Sequence, residues 1–573
     1  MDFFCRFISS NSLTHLPHQV FLEANFTNLV ELYADNNLIK NVTELGENGY
    51  GIKLRQTYLW KKKQLVAFST TPHIVKLYLH NNLIETINNT DFCELQVLQF
   101  LSLRNNRLNE TNIQEDGFKC LPSLIYLDLG YNYNMQYVPV ALTTHERLPA
   151  IQQLYLDGNK ITFVSTRTFT NVSTLLNLYL QNNLIVAVEN DTFPKQLQAI
   201  DLSNNKFRFI HEHQFSYLTR LSWLGLQNNA IDYIPDDAFI NATSLSYLHL
   251  GSNKIPQIKK MHFQNCPLTQ GLYLGFNEIG WIEDGALNHV ISSYTWDFSY
   301  NRLYKLPING TFHDVSLTYL YLHNNRISVI LPDTFKNLRT YYFSLESNRI
   351  SKIEANAFNK LSVGYYFSLT GNLLVELQPY AFNGTSCYYF YMQNMHLGVI
   401  QSYTFNDVSC YYVYLQSSGI TDIEKHAFNN FRANIYLYLY SNQIPSISAS
   451  MFGGSSYVQY LQLDNCGIQS ITSDAFMNVA VDYIYMQNNR LTIYPVALNL
   501  ITPFEIDFHN NQIQYIEDGS FDGLASLNTL HLGLNNIPYF PAVTLSSMLY
   551  LTLSDNRIET VGGLNLGGGV SSV

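Results

Sequence analysis

Leucine and isoleucine recur along this chain in a fixed figure. The string LYLQNNLIVAV at 178–188 returns as LGLQNNAIDYI at 224–234 and LYLHNNRISVI at 320–330. Aligned, the unit reads L-x-x-L-x-L-x-x-N-x-I-x-x-I, followed by a variable stretch that carries a Phe. With the first Leu as position 1, positions 4 and 6 alternate with 3 and 5, which predicts a short strand with one buried and one exposed face. Leu127 and Leu129, Leu224 and Leu226, and Leu320 and Leu322 are expected inside. A later Ile, as at Ile234 and Ile330, and a late Phe, as at Phe169, Phe193, Phe239, Phe335, Phe358, Phe428 and Phe476, complete the same core. One such unit cannot bury its own apolar face, whereas stacked units share one continuous core.

The figure occurs 22 times between Asn37 and Asn556, and position 9 is Asn in 19 of them. Apart from one gap of 45 between Asn37 and Asn82, successive copies are 21 to 27 residues apart. A half copy with Asn11 and Leu13 precedes them. The Asn amide can bond backbone groups of its own turn and of its neighbour. An unmatched buried amide would cost about 1–3 kcal/mol, so the residue type is constrained. Ser418 and Cys466 can do part of this work at position 9; Met395 cannot, which predicts a weakened ladder there.

These residues resemble the leucine-rich repeat family, and the unit of about 24 residues with a late Phe is similar to its typical extracellular subclass, as in Toll-like receptors, Slit proteins and variable lymphocyte receptors. The resemblance covers roughly 26–561. It implies an α/β-type repeat solenoid, a horseshoe with a parallel β-sheet on the concave face and an irregular or short-helical convex side. Residues 26–561 are expected to form the solenoid, with an irregular insertion at 43–72 whose Trp60-Lys61-Lys62-Lys63 reads as a solvated loop. Residues 1–25 are read as a truncated first repeat or cap remnant, and 562–573 as a Gly-rich truncated end. A visible signal peptide and the Cys-rich caps of the family's extracellular members are missing, so a partial chain is expected.

Tyr changes the picture of the outward positions. It fills about half of positions 3 and 5, and pairs recur at Tyr341-Tyr342, Tyr365-Tyr366, Tyr388-Tyr389 and Tyr411-Tyr412. Tyr offers large amphipathic contact area at low entropic cost. A ligand-binding lane is therefore expected at Tyr319, Tyr321, Tyr342, Tyr366, Tyr389, Tyr391, Tyr412, Tyr414, Tyr436, Tyr438, Tyr460, Tyr483 and Tyr485. The blander alternative is that Tyr is a good strand former copied with its repeat. The length of the lane favours a protein ligand; a carbohydrate or other microbial molecule and a homodimer are further readings. The net charge of -11 argues against a nucleic-acid binder and towards a basic or neutral partner.

N-x-S/T occurs at Asn25, Asn41, Asn88, Asn109, Asn171, Asn190, Asn241, Asn309 and Asn383, about the number expected by chance from 60 Asn. Glycosylation at some of them follows if the chain is secreted. Cys387 and Cys410 fall on adjacent turns and could form a disulfide, although two buried thiols in a Leu slot are the simpler reading. Cys93 and Cys120 are a weaker pair, and Cys266 has no obvious mate. No run of apolar residues is long enough to span a membrane. Catalytic motifs are absent, and His211-Glu212-His213 reads as loop polarity. No cofactor, metal site or enzymatic activity is expected. The reading is an extracellular recognition or adhesion protein, with a self-assembling matrix-type protein and a pattern-recognition receptor as alternatives.

Overall fold

The computed structural model describes residues 5–16, 28–42, 68, 71–143, 146–290, 292–308, 310–447 and 450–566. Most of the 43–72 insertion, including Trp60 to Lys63, lies outside the described residues. The chain divides into two compact units, 1–277 and 278–573.

In residues 1–277 the strands of the main sheet are three residues long. Ten of them, from Glu31–Tyr33 to Gly271–Tyr273, run parallel with position 3 opposite position 3. The half copy supplies a further strand, Cys5–Phe7, paired with Glu31–Tyr33. Position 4 is buried in every one of the ten, as the alternation requires. The strands are short because the buried anchors ahead of them are three residues apart. Leu121, Leu124 and Leu127 are all buried, and a spacing of three fits a turn rather than a pleat.

In residues 278–573 nine strands, from Ser292–Asp297 to Val479–Tyr485, run six or seven residues. Here the first anchor has moved one residue closer. Thr385 and Cys387 are both buried, a spacing of two that prolongs the pleat. Thr340, Val363, Ala433, Val458 and Val481 fill the slot of Cys387 in neighbouring turns. The spacing to the next anchor, Phe390, is still three, and the ladder absorbs the odd residue as an irregularity at Thr340/Tyr342, Val363/Tyr366, Cys410/Tyr412 and Ala433/Tyr436. A bulge leaves two successive side chains on one side of the sheet. Three-residue strands return at Glu505–Asp507, Thr529–His531 and Tyr550–Thr552.

Away from the sheet the chain turns irregularly, with stacked Phe rings beneath. Phe335, Phe358, Phe382, Phe405 and Phe428 follow one another at 5.1–5.4 Å between ring centroids. Helix among the described residues is limited to two 3-10 turns, Val140–Leu142 and Val496–Leu500, each entered from a proline. None is long and apolar enough to cross a membrane.

The position-9 amides form the expected ladder. Asn183 Nδ2 donates to Leu156 O and Leu180 O at 3.0 Å, and its Oδ1 accepts from Ile161 N–H at 3.0 Å. Where Ser418 and Cys466 interrupt it, the backbone takes over. Their own carbonyls accept from Leu397 N–H at 2.8 Å and Ile444 N–H at 3.0 Å. Ser418 Oγ donates to Met392 O, and Cys466 Sγ lies 3.2 Å from Leu439 O. Met395 supplies no such acceptor, and Leu374 N–H, which an Asn there would engage, has no hydrogen-bond acceptor among the described residues.

Position 8 carries a constraint that the sequence figure conceals. It is left-handed in every one of the 22 turns, from Asn36 at φ 55° to Asp555 at φ 54°. Asn tolerates this conformation better than other side-bearing residues, which accounts for the recurrent Asn-Asn doublets. Phe276 and Leu534 hold it without that help.

Both candidate cysteine pairs are bonded. Cys387 lies opposite Cys410 in the ladder, and Cys93 and Cys120 join neighbouring turns, each pair with Cα atoms 4.6 Å apart. The reading of Cys387 and Cys410 as free thiols is thereby corrected, because strand register brings two position-1 side chains face to face. Cys266 and Cys466 are buried thiols.

Candidate functional site

Every residue of the expected tyrosine lane lies on the exposed side of the sheet in residues 278–573. All thirteen are half-buried, and rings of neighbouring turns pack against one another. At position 3, Tyr342 stacks on Tyr366 at 4.5 Å, Tyr389 on Tyr412 at 5.0 Å, Tyr436 on Tyr460 at 4.5 Å and Tyr460 on Tyr483 at 4.3 Å. At position 5, Tyr391, Tyr414 and Tyr438 follow at 4.6 and 4.8 Å. Tyr319 and Tyr321 stand 6.0 Å apart at the beginning of the lane.

The bulges add a third column. Strict alternation would send the first Tyr of each pair inward, yet Tyr341, Tyr365 and Tyr411 are more than 40% exposed. Tyr388 lies between the last two, 6.2 Å from Tyr365 and 4.7 Å from Tyr411. The repeated Tyr-Tyr doublets signalled this column; only the backbone irregularity explains how both rings reach one face.

Electrostatics follow from the packing. Burial pushes the Tyr438 hydroxyl up to about 12. Burial and a hydrogen bond to Glu346 raise Tyr366 further. Tyr457, just ahead of the lane, is pushed up to about 12 by burial and by its 2.8 Å hydrogen bond to Asp482. These rings are neutral donors at physiological pH, suited to contact and hydrogen bonding rather than acid–base chemistry.

Carboxylates close the columns. In strand register Tyr483 faces Glu505 and Tyr485 faces Asp507. Asp507 Oδ1 accepts from His509 N–H at 2.9 Å and lies 2.7 Å from His509 Nδ1. Composition and periodicity missed these acids, although an acidic residue at an outward strand position was the available signal.

Residues 1–277 carry a related but different face. Phe7, Tyr33, Tyr78, Phe100, Tyr126, Tyr155 and Tyr179 follow one another at 4.1–4.9 Å. The ladder partner of Tyr179 is Asp201, whose carboxyl burial holds above the usual range. Nearby, Arg104 is locked by its own chain. It pairs with Asp157 at 2.6 Å and Asp128 at 3.3 Å, and its guanidinium lies 4.5 Å over the Tyr131 ring. Lys76 is held likewise by Glu31 at 2.7 Å.

Of the sequons, Asn171, Asn190 and Asn241 are exposed, whereas Asn41, Asn88, Asn109 and Asn383 are half-buried. Asn25 and Asn309 lie outside the described residues. Asn383 belongs to a second amide ladder on the turn side. Its Nδ2 donates to Asn356 and Asn359 at 3.4 and 3.3 Å, and its Oδ1 accepts from Asn406 at 2.8 Å. His213 pairs with Asp237 at 2.9 Å. Among the described residues no group of three or more His, Cys, Asp or Glu side chains is placed to hold a metal ion.

Comparison with known proteins fits this architecture. A family model described as Leucine rich repeat matches residues 63–108, 149–195, 173–231, 219–279, 315–374, 410–468 and 505–558, more than half of the chain. Lumican of Rattus norvegicus is 30% identical over 171 residues, 30% of this chain and 47% of the rat protein. Keratocan of Gallus gallus is 33% identical over 99 residues, 17% of this chain and 26% of that protein. The chain thus spans about half the length of lumican, and less of keratocan. A chain in the structure of the Drosophila Toll–Spatzle complex superposes over 92% of this chain and 73% of its own length, with TM-score 0.56 and 15% identity. That likeness is one of fold.

Proposed function

The chain belongs to the leucine-rich repeat family, and from that premise we propose that it is a non-enzymatic recognition or adhesion protein of the extracellular space that holds a protein ligand on its tyrosine lane. The observation that carries this reading is the width of the lane. Three aromatic columns over successive turns present a surface large enough for a macromolecule, and rigid aromatic side chains are typical anchors of binding surfaces. Exposed apolar area of this extent on one face supports an interaction role over a packing role. The extracellular setting is supported by lumican and keratocan, which are extracellular matrix proteins, and by the two disulfides, which persist in oxidising compartments.

The test is to change Tyr389, Tyr412 and Tyr436 together to Ser and measure binding to partners captured from extracellular material. Binding is expected to fall at least tenfold, and intact binding to every partner would refute the lane for this segment. A secreted product is expected to carry glycan at Asn171, Asn190 or Asn241, read by intact mass. The lumican likeness favours a second reading, a matrix-type protein that assembles with its own copies. Size-exclusion chromatography separates the two: a dimer abolished by the same Tyr substitutions supports assembly, and a monomer supports ligand recognition.

A further inference from the structure

Positively charged side chains are distributed unevenly over the exposed sheet positions. In residues 278–573, positions 1 to 9 of the twelve turns hold no Lys or Arg, while Asp297, Glu346, Asp464, Asp482, Glu505, Asp507 and Asp555 all lie there. The acids are densest where the aromatic columns end. Tyr460 stacks on Tyr483, Tyr483 faces Glu505 and Tyr485 faces Asp507. Asp482 stands beside Tyr483 in sequence and bonds the Tyr457 hydroxyl. This is a neutral aromatic surface edged by carboxylates with no Lys or Arg among the strand positions beside them, Asp507 being bonded to His509, the arrangement that attracts a cation to the face of a ring.

The molecule shows on itself what such a surface takes. Arg432 lies with its guanidinium 5.7 Å over the Tyr457 ring, the ring whose hydroxyl Asp482 holds. In residues 1–277 Arg104 occupies an equivalent setting, over Tyr131 and between Asp128 and Asp157. Beyond Tyr457, the rings Tyr460, Tyr483 and Tyr485 offer the same chemistry with no basic residue from their own strands.

Resting on the lane reading above, we propose that its ligand is an extended peptide segment bearing arginine or lysine side chains, which seat on Tyr460, Tyr483 and Tyr485 and pair with Asp482, Glu505 and Asp507. The charge complementarity selects a basic occupant, and the open, strip-like face selects an extended one. Guanidinium is favoured over ammonium because its plane stacks on a ring while its edge bonds a carboxylate.

The probe is a fluorescent peptide of repeated Arg-Gly-Ser, with Lys-Gly-Ser and Gln-Gly-Ser counterparts, titrated with the full chain and read by anisotropy at low and high salt. The Arg peptide is expected to bind, the Lys peptide more weakly and the Gln peptide not at all. D482N, E505Q and D507N together keep the side-chain shapes and are expected to weaken the Arg peptide about tenfold or more. Tyr483→Leu is expected to weaken it severalfold with the acids intact. A control, E517Q with D518N and D522N, removes three exposed acids from a turn of the same unit and is expected to change affinity less than about twofold. Circular dichroism melts establish that each variant is folded. Equal losses in the two acid triples would reveal diffuse attraction and overturn the proposal, as would failure of the Arg peptide to bind. If that failure accompanied a captured partner that the Tyr389, Tyr412 and Tyr436 substitutions release, the lane would stand and the basic ligand alone would fall.

Discussion

The two units use one repeat figure to make two different faces. In residues 1–277 the strands of the main sheet are three residues long, the aromatic run is narrow, and the basic side chains Lys76 and Arg104 are neutralised by their own chain, Lys76 by Glu31 and Arg104 by Asp128 and Asp157. In residues 278–573 nine strands double in length, the aromatic surface widens to three columns, and repeat positions 1 to 9 carry acids without Lys or Arg, the basic strand residues Arg339 and Arg432 lying ahead of them. The change behind the widening is small. Moving one buried anchor from three residues to two ahead of its neighbour extends the pleat, and the bulge that follows turns an extra Tyr outward. The first face is electrostatically closed and the second is open.

Alkaline pH should separate the units most strongly. Burial pushes Tyr126, Tyr247 and Tyr438 up to about 12 from an ordinary value near 10. A raised folded value means that the stabilisation is intact below pH about 10 and is lost as pH rises towards 12. Tyr33 and Tyr155 in the first unit and Tyr366, Tyr414 and Tyr485 in the second are raised further, and with Tyr342, Tyr391, Tyr457 and Tyr460 also raised, residues 278–573 hold the larger number of affected rings. Limited proteolysis across pH 10–12 is expected to cut 278–573 before 1–277, with the onset matching tyrosinate absorbance. The reverse order would break the comparison.

Removing the internal cation tests whether the first face is closed by Arg104. Arg104→Met leaves Asp128 and Asp157 facing each other with little solvent, and is expected to cost about 2–3 kcal/mol at neutral pH by denaturant titration. Burial already raises the Asp128 carboxyl. A raised value makes the charged form the costly one, so the deficit of the variant is expected to shrink as pH falls from 7 towards 4. No pH dependence would show that the pair is solvated.

The disulfide across the widened sheet is the next lever. Cys387 and Cys410 are separated by 23 positions in the chain, and replacing both with Ala is expected to cost about 2 kcal/mol. The loss should fall on proteolytic resistance of 278–573 and leave 1–277 unchanged. The smallest expected effects are gains. Met395→Asn offers an acceptor to Leu374 N–H and is expected to add about 1 kcal/mol. Leu534→Gly relieves a left-handed backbone at φ 54° and is expected to add somewhat less, about 0.5–1 kcal/mol, by thermal melting.

Period alone decides which tyrosines face outward at positions 3 and 5. A residue at position 3 or 5 must face away from the Leu at 4 and 6, so Tyr412 and Tyr414 could be placed without coordinates. Tyr411 could not, because its outward turn depends on an irregularity in the pairing of its strand with the next. Asn383 was legible as a sequon, yet its amide hydrogens are engaged by Asn356 and Asn359 of the preceding turn. Such a bond depends on which loops lie side by side, and sequons carry no record of that.

The sequence by itself determined the stacked architecture, the buried Leu and Phe positions and the amide ladder. Those follow from local alternation and from the cost of an unpaired buried amide, which act within one repeat and its copy. Only the tertiary structure decided which cysteines meet, which acids end the tyrosine columns and which face neutralises its own charge. Each of these depends on strand register and on side chains some twenty or more residues apart, as with Arg104 and Asp157 or Tyr483 and Glu505.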